Sequence, residues 1–299
     1  MAPIFVYIVT HTTRHLDLVF AGLARQTRRP DRVVLSCDTD DPRLGAVAER
    51  WAGRVGAPID WVRRAHHGIA RCSQVRNNAV RRLVNDLGHS TGRVIQIDGD
   101  ILCPDGFVER HAELGGERGL VYAYRVNLSE SETAGLDAER VYLGGQRPEF
   151  TASDLATLRR RDRRYRRQLL MRRLGLGALH KPKLLGCNWS GPLEAWIDLN
   201  GFDEHFQGWG YLDDEFARRA AARGWPCVPA CASVPCWHLF HPTRQPQGAL
   251  TANPNHARFV RPDLPSVAER GLRGEIGQHG VATTRVGECR PAETHSHLA

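Results

Sequence analysis

The first hundred residues alternate short β-branched runs with stretches of helical spacing, and that alternation leaves few folds open. Ile4-Phe5-Val6-Tyr7-Ile8-Val9 is too short for a stable helix and rich in strand formers. Leu16, Val19, Phe20 and Leu23 then recur at three and four residues, one helix face over 16–25. A second strand over 32–37 ends at Asp38, a helix over 42–55 follows, and a third strand covers 59–62. Strand, helix, strand requires a right-handed crossover and so a parallel sheet. The expected class is α/β. Residues 68–83 form a loop entering a further helix, with Arg71 and Arg76 near its start. There, backbone donors and guanidinium groups could meet a phosphate, or the arginines could lie on a solvated face.

Residues 94–102 add chemistry to this framework. Val94-Ile95-Gln96-Ile97 reads as a strand buried on both faces, and it opens onto Asp98-Gly99-Asp100. Both carboxylates fall at the carboxyl end of the strand, the edge where open α/β sheets bind ligands. Gly99 allows close approach of backbone or ligand. Two hard oxygen donors suit Mg²⁺ or Mn²⁺ with positions left for substrate phosphates. Alone, Asp-x-Asp is a weak signal, because solvated loop carboxylates give the same spacing.

The totals narrow the setting. A chain of 299 residues can bury a large core as one catalytic domain, expected over 1–261, with 262–299 as a loosely ordered tail. No run of eighteen apolar residues occurs, and the start of the chain passes directly into a strand pattern, so a cytoplasmic protein is expected. Eight cysteines then read as reduced thiols. A net charge of +8 suits a partner rich in phosphate without choosing among nucleic acid, membrane surface and nucleotide diphosphate. Nine arginines over 159–173, interleaved with Leu169, Leu170 and Met171, suggest a basic amphipathic helix that is either solvated or set against an anionic membrane surface. With Tyr165 as its only aromatic residue and no zinc-finger or RNP pattern in the chain, sequence-specific nucleic-acid binding is not expected. Residues 127–150 carry no recognisable chemistry, and the region 127–183 is expected to be a variable, acceptor-facing or membrane-facing insert.

The second half of the site begins at Gly186-Cys187-Asn188-Trp189-Ser190-Gly191, before an apolar helix over 193–199 and Gly201-Phe202-Asp203-Glu204. Gly208-Trp209-Gly210 follows, then Asp213-Asp214-Glu215 at the opening of a helix. The helix dipole favours acids in a first turn. It does not explain a tryptophan between two glycines. An aromatic face can stack on a sugar ring while a nearby carboxylate takes a hydroxyl proton.

These segments, in this order, resemble inverting glycosyltransferases of family 2 type. The carboxyl-terminal half is also similar to the catalytic segment of galactosyltransferases and N-acetylgalactosaminyltransferases. The resemblance covers roughly residues 3–242. It implies a GT-A fold with a mixed, mainly parallel sheet, a nucleotide-binding half over 1–103 and an acceptor half over 184–242. Further implied are a nucleotide sugar donor, UDP-linked, a carbohydrate or glycoconjugate acceptor, and Mn²⁺ or Mg²⁺. By matching positions, Asp98 and Asp100 would bind the metal, Asp38 would touch the base, and Thr10, Thr12, Arg71 and Asn77 would line the nucleotide. Trp209 would line the sugar pocket and Asp213 would be the base. Leu212 stands where the family commonly has Glu, which leaves Asp214 as the alternative base. A histidine from Cys236-Trp237-His238-Leu239-Phe240-His241 would complete the metal site, His238 matching better than His241.

Three rival readings remain. Cys227, Cys231 and Cys236 with one of these histidines could hold structural zinc, although the spacing departs from paired Cys-x2-Cys. A metal-dependent nucleotidyltransferase would also use Asp-x-Asp at a sheet edge. A non-catalytic carbohydrate-binding protein would use Trp209 without metal.

Overall fold

In the computed structural model, which describes residues 2–242, 253–274 and 280–287, successive residues of β1 (Ile4–Thr10) serve opposite apolar layers. Ile4, Val6 and Ile8 pack with helices Leu16–Ala24 and Pro42–Val55, whereas Phe5 and Tyr7 join Trp189, Trp196 and Phe216 on the other face. A strand buried on both faces belongs at the centre of a sheet, and each such side chain removed from water contributes about 1.5–3 kcal/mol.

The remaining strands are β2 (Arg32–Cys37), β3 (Ile59–Arg64), β4 (Arg93–Asp98), β5 (Ile101–Leu102), β6 (Leu120–Tyr122), β7 (Arg125–Asn127), β8 (Asn188–Pro192), β9 (Cys227–Pro229), β10 (Cys236–His238) and β11 (Val281–Val286). Eight of them form one sheet in the order β11-β3-β2-β1-β4-β8-β6-β9. β3, β2, β1 and β4 are parallel, as the strand and helix alternation requires, and β8 enters antiparallel between β4 and β6. The result is the expected mixed, mainly parallel α/β sheet flanked by helices. A second sheet, β5-β10-β7, lies at the carboxyl edge of the first.

The stretch 94–102 bends at its acids: β4 stops at Asp98, the Gly99 amide turns back to the Val9 carbonyl at 2.8 Å, and β5 pairs with β10. The basic helix runs over Ala152–Arg173, opened by a reciprocal Thr151 and Asp154 cap, and its buried residues are Leu158, Asp162 and Tyr165 at spacings of four and three. Leu170 and Met171 are exposed. The carboxyl-terminal stretch is ordered in part: Ala268 and Leu272 are buried, and β11 lines the sheet edge antiparallel to β3. Residues 275–279 and 288–299 of that stretch lie outside the described residues.

Candidate active site

Strand register sets the site. Val9 pairs with Asp98 and Thr10 with Cys37, so Thr10, Asp38 and Asp98 emerge along one carboxyl edge. β8 starts at the same edge, since Asn188 pairs with Ile97, and the Gly186 carbonyl just before it accepts from Gln96 Nε2 on β4. Gly99 is required by closeness: a Cβ there would stand 2.5 Å from the Cβ and Oγ1 of Thr10. Gly99→Ala is expected to cost about 1–3 kcal/mol, the range for overpacking, and to displace both neighbouring carboxylates. Thermal melting reads the first effect and metal affinity the second.

Asp100 is joined by both candidate histidines. His238 pairs with Ile101 across β5 and β10, the Leu239 amide donates to the Asp100 carbonyl at 2.9 Å, and the chain then folds His241 back. His238 Nε2 and His241 Nε2 lie 3.3 and 3.1 Å from Asp100 Oδ2. One ligand atom from each of the three residues falls within 4.8 Å of the others. Asp100 Oδ1 is buried and has no hydrogen-bond partner among the described residues, which suits a cation. A carboxylate with two imidazoles fits a divalent transition metal and fits Mn²⁺ better than Mg²⁺, which prefers oxygen alone. Of the expected ligands, Asp100 and His238 fall in this group together with the alternative His241, and Asp98 is not in it.

Asp98 belongs to a neighbouring charge cluster. Arg76, at the start of helix Cys72–Arg81, donates to Asp213 Oδ1 at 2.7 Å, and its charge also acts on Asp98. Burial and the like charge of Asp100 hold the Asp98 carboxyl above the usual range, against the pull of Arg76. For Asp100 burial pushes upward, but the hydrogen bond and charge of His238, with Arg125 and His241, outweigh it and hold this carboxyl low. Asp213 Oδ2 accepts the Gly186 amide at 3.1 Å, and a Cβ on Gly186 would crowd both oxygens of Asp213 at 2.8 Å. Asp214 faces away, toward Lys183 at 3.7 Å and Lys181 at 4.0 Å. Glu215, the third acid of the run, grips the fully buried Arg219 at 2.6 and 2.8 Å, while Arg219 bonds the Leu199 and Gly201 carbonyls. Three adjacent acids thus have three separate surroundings, and only Asp213 shares a cation with the Asp98 edge.

Asp38 accepts the Arg71 amide at 2.9 Å and faces His66 at 3.2 Å and Arg64 at 3.3 Å. Thr10 Oγ1 donates to the Thr12 carbonyl at 2.9 Å and holds the turn after β1. Trp209 is 63% exposed. Its loop is anchored where the Gly208 amide meets the Ala70 carbonyl at 2.7 Å and where Asn255 donates to the Gln207 and Gly210 carbonyls.

Asn77 is turned into the interior. It is fully buried, donating to the Phe202 carbonyl and Glu204 Oε1 and accepting the Phe202 amide, all within 2.8–2.9 Å. Asn77→Ala would leave the Phe202 amide and carbonyl unpaired, while Glu204 Oε1 keeps Arg81 at 2.6 Å. The expected cost is about 2–4 kcal/mol, from one to two unsatisfied buried groups. Denaturant unfolding reads it, with nucleotide affinity of the folded protein unchanged.

The zinc alternative does not hold: among the described residues no metal-sized group includes a cysteine. Burial pushes the Cys227, Cys231 and Cys236 thiols up, away from the thiolate form that zinc requires, and Cys236 Sγ accepts from Asn188 Nδ2 at 3.2 Å. Two residues at the site carried no motif. His15 Nε2 is 2.8 Å from the Phe240 carbonyl and near Asp100, and the half-buried cation Arg125 acts on both Asp98 and Asp100.

Residues 177–233, which contain Gly186, Trp209, Asp213 and Asp214, match the family model described as the N-terminal domain of galactosyltransferase. No curated protein matches by sequence. Among solved structures the chain is similar to GalNAc-T7 with UDP, GalNAc and Mn²⁺, at 14% identity and TM-score 0.53, covering 87% of this chain and 48% of that one. TarS of S. aureus matches at 12% identity and TM-score 0.49 over 80% of this chain and 37% of its own. Glucosyl-3-phosphoglycerate synthase from Mycobacterium tuberculosis, with Mn²⁺, UDP and glucosyl-3-phosphoglycerate, matches at 14% identity and TM-score 0.40 over 82% and 73%. The chain thus spans less than two thirds of the length of TarS and of GalNAc-T7. The fold is GT-A, and the matched galactosyltransferase segment within it supports a glycosyltransferase.

Proposed function

We propose that this chain transfers a sugar from a UDP-linked donor to a hydroxyl of a carbohydrate or glycoconjugate, with inversion at the anomeric carbon. The observation that carries this reading is the pair of opposed acidic centres at one sheet edge. Asp100, with an oxygen unpartnered among the described residues and two histidines beside it, stands on one side, and Asp213 stands on the other. Asp100, His238 and His241 would hold Mn²⁺, which when bound supplies Lewis-acid neutralisation of the leaving diphosphate. Asp38 and Arg71, at the ends of β2 and of the loop before helix Cys72–Arg81, suit the base and ribose. Trp209 offers an exposed ring to the sugar.

Asp213 would take the proton of the incoming hydroxyl. Its carboxylate is fixed by Arg76 and the Gly186 amide, and retains exposed surface for the acceptor. One base acting on one acceptor in an in-line attack inverts the centre.

The test is a set of nucleotide sugars screened for Mn²⁺-dependent thermal stabilisation, followed by measurement of the nucleotide released. Nucleoside diphosphate is the expected product. Pyrophosphate from a nucleoside triphosphate would identify a nucleotidyltransferase. Sugar binding indifferent both to metal and to Asp100→Ala would identify a carbohydrate-binding protein.

A further inference from the structure

The outward face of helix Ala152–Arg173 carries charge that no described residue matches. Arg159, Arg160, Arg163, Arg164, Arg166 and Arg167 are exposed, and none has an ion pair among the described residues. Steps of four, three and four place Arg163, Arg167, Leu170 and Leu174 in one row, opposite the buried Leu158, Asp162 and Tyr165. The row is cationic first and apolar last. At its end Leu170, Leu174 and Leu176 are 55%, 62% and 71% exposed, and Met171 and Leu179 adjoin them.

We propose that this helix end and the following loop, residues 170–179, dock on an anionic lipid bilayer surface. The apolar side chains would enter the boundary between headgroups and acyl chains while the guanidinium groups meet lipid phosphates. Charge complementarity favours this occupant, because an acidic protein surface or a nucleic acid would match the arginines but leave the leucines in water. The contact lies in the plane of the membrane, since no helix among the described residues is long and apolar enough to cross one. The surface is fixed to the candidate site: Arg172 donates to the Leu179 and Lys181 carbonyls at 3.3 and 3.1 Å, and Lys181 and Lys183 approach Asp214. Docking therefore brings one flank of the site to the bilayer.

Co-sedimentation of the full chain tests this, with vesicles of equal parts phosphatidylglycerol and phosphatidylcholine against vesicles of phosphatidylcholine alone. Binding is expected to the anionic vesicles only, and to weaken as salt rises. Leu174→Ser with Leu176→Ser should weaken it about tenfold or more through lost apolar burial. Arg163→Ser with Arg167→Ser should do so to a similar degree through lost attraction. All four side chains point to solvent, so melting temperature and circular dichroism should match the parent. Equal binding to neutral vesicles would overturn the proposal, as would both double variants binding like the parent. A concentration-dependent dimer abolished by Leu174→Ser with Leu176→Ser would assign the patch to a second copy instead.

Discussion

Asp213→Asn is expected to lower turnover by about two to four powers of ten, the contribution of a positioned general base, while Mn²⁺-dependent binding of the nucleotide persists. Asparagine preserves the shape, and its amide oxygen can still accept the Gly186 amide, now 3.1 Å from Asp213 Oδ2. It cannot take a proton from an acceptor hydroxyl. The substitution also removes the charge that Arg76 now meets at 2.7 Å. Arg76 keeps Asp98 as a second anion within its field, so the expected stability loss is about 1–3 kcal/mol, less than for a buried pair left with no counter-charge. Single-turnover kinetics and a nucleotide titration on the same preparation separate the outcomes. Equal loss of both would mean that Asp213 only holds Arg76 in place. Asp214→Asn is the control: its carboxylate faces Lys181 and Lys183, so its removal should alter acceptor affinity more than turnover. A collapse of turnover in Asp214→Asn, with Asp213→Asn active, would reverse the assignment.

The parts of this site that were legible in the sequence are those fixed by local pattern. Alternating strands and helices placed Thr10, Asp38 and Asp98 at strand ends, and parallel register then aligned those ends without further information. The parts that were not legible depend on contacts between distant segments. Whether His238 or His241 meets Asp100 is decided by β5 pairing with β10 across more than a hundred residues, and the answer is both. Arg125 gave no signal, because one arginine in a short strand has no periodicity, and it reaches the acids only because β7 lies parallel to β10. Asn77 depends on a distant contact too: its position matches a nucleotide-lining segment, and its amide bonds the Phe202 turn, which the sequence pattern does not reveal. In the basic helix, composition drew attention to Leu169, Leu170 and Met171, whereas the packing stripe begins earlier, at Leu158, where Asp162 caps the Cys231 and Ala232 amides.

Asp100→Asn should abolish Mn²⁺-dependent stabilisation and weaken nucleotide diphosphate binding by at least about a hundredfold, the upper range for disturbing the partners of a metal ligand. Without metal the fold should lose about 1–3 kcal/mol, because His238, Arg125 and His241, which hold the Asp100 carboxyl low, lose their counter-charge, while relief of the repulsion with Asp98 offsets part of that loss. Loss of the metal response in a variant that still melts cooperatively separates a metal ligand from a merely structural Asp100. The two histidines then test the ligand set. If Asp100, His238 and His241 act together, His238→Ala and His241→Ala should each reduce Mn²⁺ affinity by a comparable factor, because their Nε2 atoms lie almost equally close to the same carboxylate oxygen, at 3.3 and 3.1 Å. If His241→Ala binds Mn²⁺ as tightly as the parent, His238 alone completes the site with Asp100, and His241 is a partner that lowers the Asp100 carboxyl by charge. Calorimetric titration of Mn²⁺ into the three variants distinguishes these arrangements without reference to turnover.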